Sequence, residues 1–230
     1  MTAHFVNMLD ELRRASLRMA SQVEDMLQEA CEAVFETNGP LALRVIERDD
    51  EVDAAEVEVE AEVIRLMALY QPVGRDLRLL CTVLKVNNDL ECVADCGVNI
   101  AQRASHLVVQ PLARENRELR QLVPAVQRAV RSAVQAYGDE DAQTAQRLVG
   151  EDSAIDALYA QIVRDAVSHA DRSQEGMAAH LDLLSIAKNL ERIADHAVSI
   201  AKDVIFIVTG QIVRHRPLDE LPNTSPPRNP

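Results

Sequence analysis

Residues 89–104 and 189–204 align with each other without a gap. Leu90, Glu91, Ala94, Asp95, Ile100 and Ala101 recur as Leu190, Glu191, Ala194, Asp195, Ile200 and Ala201. A second match lies upstream, where RVIERDDEVD (44–53) parallels RLVGEDSAID (147–156) and sets Asp49 against Asp152 and Asp53 against Asp156. Two matches in the same order, at offsets of 100 and 103 residues, mark one structural unit used twice. Whatever the first half folds into, the second half must also fold into.

Helix breakers delimit the unit. The chain holds 7 Gly and 9 Pro, and Pro217, Pro222, Pro226, Pro227 and Pro230 all fall at its end, so the body is nearly free of residues that interrupt a helix. Ala, Val, Leu, Glu, Arg and Gln dominate, aromatics are 3% and Trp is absent, a palette of close-packed helices rather than sheets. The breaker clusters predict six long helices, at about residues 3–36, 41–70, 74–108, 115–137, 140–171 and 177–209. The boundaries are NGP (38–40), QPVG (71–74), the stretch around Pro111, Gly138, DRSQEG (171–176) and Gly210. Each unit is a long helix, an acidic helix and a motif helix. The expectation is all-α, two tandem three-helix bundles spanning 1–110 and 111–216, with a disordered Pro-rich tail at 217–230.

A hydrophobic fraction of 47% supports a sizeable core, while a net charge of −13 limits the partners. Direct nucleic-acid binding is disfavoured, because its affinity comes from Lys and Arg neutralising phosphates. The N-terminus MTAHFVNMLDELRR lacks the cationic start and apolar run of an export signal, and VIFIV (204–208) is far shorter than a membrane span. A cytoplasmic location is expected, with any membrane association made only through partners. Four cysteines, Cys31, Cys81, Cys92 and Cys96, are then expected to be reduced and to act as small apolar residues. Cys92 and Cys96 sit one helical turn apart, but no second pair completes a four-thiolate zinc site.

At 100° per residue, Leu190, Ile193, Ala194, Ala197, Ile200, Ala201, Val204, Ile205 and Val208 form one apolar stripe, with Glu191 and Asp195 together at its shoulder. Glu91 and Asp95 take the same shoulder in the first copy. On the acidic helices Asp49, Asp53, Glu56 and Glu60 share a face, as do Asp152 and Asp156, with Tyr159 next. Like charges at i, i+4 cost a few tenths of a kcal/mol even when exposed, and more beside apolar surface. Something positive must compensate. One candidate is a salt bridge, for which Lys188 stands three residues before Glu191. The other is a metal ion, and oxygen-only donors suit Mg²⁺, Mn²⁺, Ca²⁺ or ferric iron. A single Glu-x-x-x-Asp is common on solvated helix faces, but four acidic pairs at matching positions make the metal reading as strong as the structural one.

Catalytic signatures are missing from the pattern. His196 is matched by Cys96 and so is not a repeated ligand, and His169 and His180 read as surface residues near the turn between the last two helices. No Glu-x-x-His pair supports a di-iron oxidase, and there is no P-loop, dinucleotide glycine run or nucleophile elbow. An enzyme is not expected.

FVNMLDELR, RMASQVEDMLQEA, RDDEVD, QPVGRDLRLL, DLECVADCGVNIA and above all NLERIADHAVSIAKDVIFIVTGQIVRH (189–215) resemble the PhoU family of phosphate-transport regulators, over nearly the whole chain to about residue 216. The resemblance implies two three-helix bundles related by pseudo-twofold symmetry. It implies a cytoplasmic negative regulator of phosphate uptake and the phosphate-starvation response, an adaptor between the ATPase subunit of the phosphate ABC transporter and the phosphate-responsive sensor histidine kinase. Long helices with apolar shoulders are also compatible with a homodimer. It also implies metal binding through Glu/Asp-x-x-x-Asp motifs, with iron, zinc, magnesium or manganese as cofactor. Carried over by position, the ligands are Asp49, Asp53, Glu91 and Asp95 in one half and Asp152, Asp156, Glu191 and Asp195 in the other. The family motif commonly reads Glu-Arg-Ile-Gly-Asp. Here Ala194 replaces its Gly, and the first copy carries Cys92 and Ala94, which makes the two sites chemically unequal. The competing reading is a purely structural helical interaction module without bound metal.

Overall fold

A computed structural model describes residues 3–104, 112–168 and 174–214. The described elements are all helices: α1 (Ala3–Glu36), α2 (Gly39–Glu47), α3 (Asp49–Tyr70), α4 (Gly74–Ala104), α5 (Leu112–Glu115), α6 (Arg117–Asp139), α7 (Ala142–Ser168) and α8 (Gln174–Thr209). Six are long, as the breaker pattern predicts, and α5 is a short addition. The stretch around Pro111, residues 171–173 of the 171–176 turn, His169, His215 and the tail at 217–230 lie outside the described residues.

One expected helix is divided. The segment predicted as 41–70 is two helices that meet at Arg48, although neither Gly nor Pro stands there. Asn38 caps α2 by accepting a hydrogen bond from the Leu41 amide, with Pro40 in the first turn. Asp49, Asp50 and Glu51 then crowd the first turn of α3, where carboxylates interact favourably with the positive end of a helix dipole. Arg48 itself reaches α1 and pairs with Glu29 at 3.1 Å. The break is thus made by local charge and a tertiary ion pair.

In one bundle α1 packs on α3 and α4 with α2 beside them; in the other α6, α7 and α8 pack together. The bundles are joined chiefly by α4 against α8. Arg78 lies beside Gly210, Lys85 beside Asp203, Asp89 beside His196 and Arg103 beside Asp182, so these helices run antiparallel. Val93 and Ile193, equivalent residues of the two repeats, sit midway along that contact, and both are fully buried. The pseudo-twofold relation expected from the repeat therefore passes through the middle of the duplicated motif.

Polar contacts fix the seam. Asp203 is 2% exposed and accepts from Lys85 Nζ and Arg214 Nη2, each at 3.2 Å, which satisfies a charge that would otherwise be costly in the core. Lys85 also lies over the Phe206 ring at 5.1 Å. Across the molecule Glu140 pairs with Arg13 at 3.2 Å and with Arg75, tying α1 and α4 to the α6–α7 turn. Nearby, buried Ser16 and Tyr137 share a hydrogen bond of 3.1 Å between α1 and α6. The thiols behave as expected of apolar fillers: all four are free, with Cys31 and Cys96 buried and Cys81 and Cys92 partly so.

Candidate metal centre

The helical repeat brings each acidic helix alongside its motif helix, α3 against α4 and α7 against α8. In the first half Asp49 and Asp53 face Glu91 and Asp95. Burial, then repulsion from Asp53, Asp95 and Glu91, pushes the Asp49 carboxyl above its ordinary value. Glu56, one turn further along the same face, is pushed up by burial and then by Glu91, Glu60 and Asp53. Sequence reasoning placed Glu56 on this face but did not count it among the ligands; its position two turns from Asp49 was the available signal.

The second half repeats the arrangement. Burial and then Asp156 and Asp195 raise the Asp152 carboxyl, and burial, Glu191 and Asp156 raise that of Asp195. In both halves the first acid of each pair (Asp49, Glu91, Asp152, Glu191) is partly buried and the second (Asp53, Asp95, Asp156, Asp195) is exposed. All eight residues singled out from the sequence therefore gather into two four-carboxylate groups, one per repeat.

The two groups differ in compensation. Lys188 forms the anticipated salt bridge to Glu191 and lies over the Tyr159 ring at 5.4 Å. Lys202 acts on Asp152 from the same side, drawing its pKa down against the burial. The equivalent positions in the first half are Asn88 and Gln102, and Arg192 is matched by Cys92. The neighbours acting on Asp49 and Glu56 are all carboxylates. Cys92 is no thiolate substitute, since burial and then Glu91 push its thiol up to about 12.

Among the described residues no three acidic, His or Cys side chains converge into a ready-made ligand set. Like charges with nothing between them repel, which accounts for the spread. A donor is nevertheless waiting in the second group, because Asp152 Oδ1 is buried without a hydrogen-bond partner. An orphaned carboxylate oxygen among carboxylates, with hard oxygen donors throughout, fits a cation better than any neutral group.

His196 is part of a different contact. Its Nδ1 lies 2.8 Å from Asp89 Oδ1 at the α4–α8 seam, and Asp89 is buried. This pair and buried Asp203 were not foreseen as linked sites. Their partners are 107 and 118 residues away in sequence, and only the fold brings them together.

A chain of two three-helix bundles, duplicated about an antiparallel helix pair and carrying one carboxylate group per copy, defines a class of helical proteins built by repeat. The model of the PhoU domain matches this chain twice, at residues 16–104 and 119–204. The chain belongs to the PhoU family. Among similar relatives is the phosphate-specific transport system accessory protein PhoU homolog of Aquifex aeolicus, 32% identical over 212 residues that cover 92% of this chain and 96% of that protein. PhoU homolog 1 of Thermotoga maritima is 34% identical, with 90% of each chain covered. The crystal structure of PhoU from Pseudomonas aeruginosa superposes with a TM-score of 0.86 at 30% identity, over 90% of this chain and all of that one. A phosphate transport system regulatory protein PhoU from Streptococcus pneumoniae shares the fold, with a TM-score of 0.82 at 23% identity.

Proposed function

We propose that this chain is an accessory protein of a phosphate-specific transport system and a negative regulator of phosphate uptake and of the phosphate-starvation response. The observation that carries this reading is the family match in both halves, together with relatives named as accessory proteins of that system and covered over nearly their whole length. In this reading the protein works in the cytoplasm by contact, as an adaptor between the transporter ATPase and a phosphate-responsive sensor histidine kinase, and catalyses nothing. No helix among the described residues is long and apolar enough to cross a membrane, so approach to a membrane transporter would run through its cytoplasmic partner. The regulatory role is tested by deleting the gene. Derepression of phosphate-starvation genes in high phosphate is expected, and unchanged repression overturns it.

The same reading assigns the carboxylate groups to metal ions, held by Asp49, Asp53, Glu91 and Asp95, with Glu56 adjacent, and by Asp152, Asp156, Glu191 and Asp195. A bound cation would neutralise the repulsion and cross-link the acidic helix to the motif helix. The strongest charges acting on the first group's raised carboxylates are other carboxylates, whereas Lys188 and Lys202 serve the second, so the first is expected to bind more tightly. Metal content of protein purified without a metal-affinity tag, measured beside thermal melts with added Mn²⁺ or Zn²⁺, tests this. Glu91→Ala/Asp95→Ala should remove more metal and more of the melting shift than Glu191→Ala/Asp195→Ala. Negligible metal and no shift in the wild type would leave the Lys188–Glu191 pair as the pattern's explanation and favour a metal-free structural module.

A further inference from the structure

Helix α3 carries apolar residues on two opposite faces. Val52, Val59, Val63 and Leu66 are buried against the bundle. Ala54, Val57, Ala61, Ile64 and Ala68 are exposed on the other side, at spacings of three, four, three and four residues, and Val57 and Ile64 are 63% and 55% exposed. That is the spacing of a coiled-coil seam, in which each apolar residue seats between residues of a facing helix. α3 meets α1, α2 and α4 through its buried face, so the exposed seam is not needed by the fold.

The duplication supplies an internal control. Continuing the register that pairs Asp49 with Asp152, the seam positions in α7 are Ala157, Ala160, Arg164 and Val167. A charge falls at the centre and an Ala replaces Val57, so the second repeat keeps the same buried face without the seam. A requirement of the shared fold would appear in both copies. The seam belongs to the first copy alone.

Charge selects the occupant. Glu60 and Asp53 border the seam on one side and Glu51 and Glu58 on the other, with Arg65 the one cation of the helix and already paired with Glu62. A second copy of this chain would bring two acidic borders together, which coiled-coil pairing disfavours. An anionic membrane surface is repelled by the same borders. We propose that α3 docks a basic amphipathic helix of another protein, with apolar residues at three- and four-residue spacing and Lys or Arg flanking them. The seam runs about 21 Å, enough for four turns of such a helix. This surface goes beyond the phosphate-signalling reading, and a cation at Asp53 would still leave Glu51, Glu58 and Glu60 as its acidic borders.

The test uses the full-length chain and two synthetic 18-residue helical peptides, both with Leu at the seam spacing, one flanked by Lys and the other by Glu. Fluorescence anisotropy should show the Lys peptide binding the wild type at least tenfold more tightly than the Glu peptide, and at least tenfold more tightly than it binds Val57→Gln/Ile64→Gln. Glu58→Lys/Glu60→Lys should reverse the preference between peptides. Both variants alter exposed side chains, and unchanged circular-dichroism spectra with cooperative melts confirm that folding is intact. Equal binding of the Lys peptide to wild type and Val57→Gln/Ile64→Gln would reduce the effect to diffuse charge and overturn the proposal. So would a wild-type dimer in sedimentation that Val57→Gln/Ile64→Gln converts to monomer, since the occupant would then be a second copy.

Discussion

Asp49 and Asp152 hold equivalent positions in the two repeats, yet Lys202 acts on the Asp152 carboxyl while the strongest charges acting on Asp49 are carboxylates. Both carboxyls lie above the ordinary 3.8, as Glu56 lies above 4.5, so the folded chain holds protons that the unfolded chain releases. Their ionisation therefore opposes folding at neutral pH. The penalty fades as pH falls through the raised values and is gone below the ordinary ones. Asp141 and Glu62 act in the opposite sense, since hydrogen bonds from Thr144 and Arg65 lower them. The clean measurement is thus a difference. In metal-free buffer Asp49→Asn/Glu56→Gln should be more stable than wild type at pH 7, and denaturant titrations at decreasing pH should show that advantage shrinking.

At the level of elements, helix ends are where backbone conformation is most demanding. α8 stops at Gly210, whose φ of +74° is left-handed and whose missing Cβ faces the Arg78 guanidinium at 3.6 Å. Gly210→Ala should cost about 1–2 kcal/mol for the left-handed backbone, read as a lowered urea midpoint with unchanged slope. This stop was visible in the sequence because Gly is the usual left-handed cap. The division at Arg48 was not, since it depends on Glu29 from another helix and on a first turn of acids rather than on a breaker. The faces of the candidate ligands were legible because a period of 3.6 settles which residues share a side. Which helices meet was legible only through the repeat. Contacts such as Asp89 with His196 and Asp203 with Lys85 carry no local signature.

Across the whole molecule the charge of −13 is spread over surfaces that include two carboxylate groups and the borders of α3. Screening should stabilise such a chain. Raising NaCl from roughly 0.1 M to roughly 1 M shortens the Debye length from about 10 Å to about 3 Å, and the melting temperature of metal-free protein is expected to climb by a few degrees. A fall would mean that attractive surface pairs such as Arg65–Glu62 outweigh the repulsion.

The antiparallel crossing at Val93 and Ile193 has the geometry of an isologous homodimer whose two subunits have been spliced into one polypeptide. Splicing removes two constraints. A true homodimer dissociates on dilution, whereas these two carboxylate groups remain on one molecule at any protein concentration. A homodimer must also place the same residue on both sides of its axis. Here Asp89 meets His196 on one side, while the matching positions hold Asn189 and Cys96. The fused chain can thus keep one inherited scaffold and specialise each half separately.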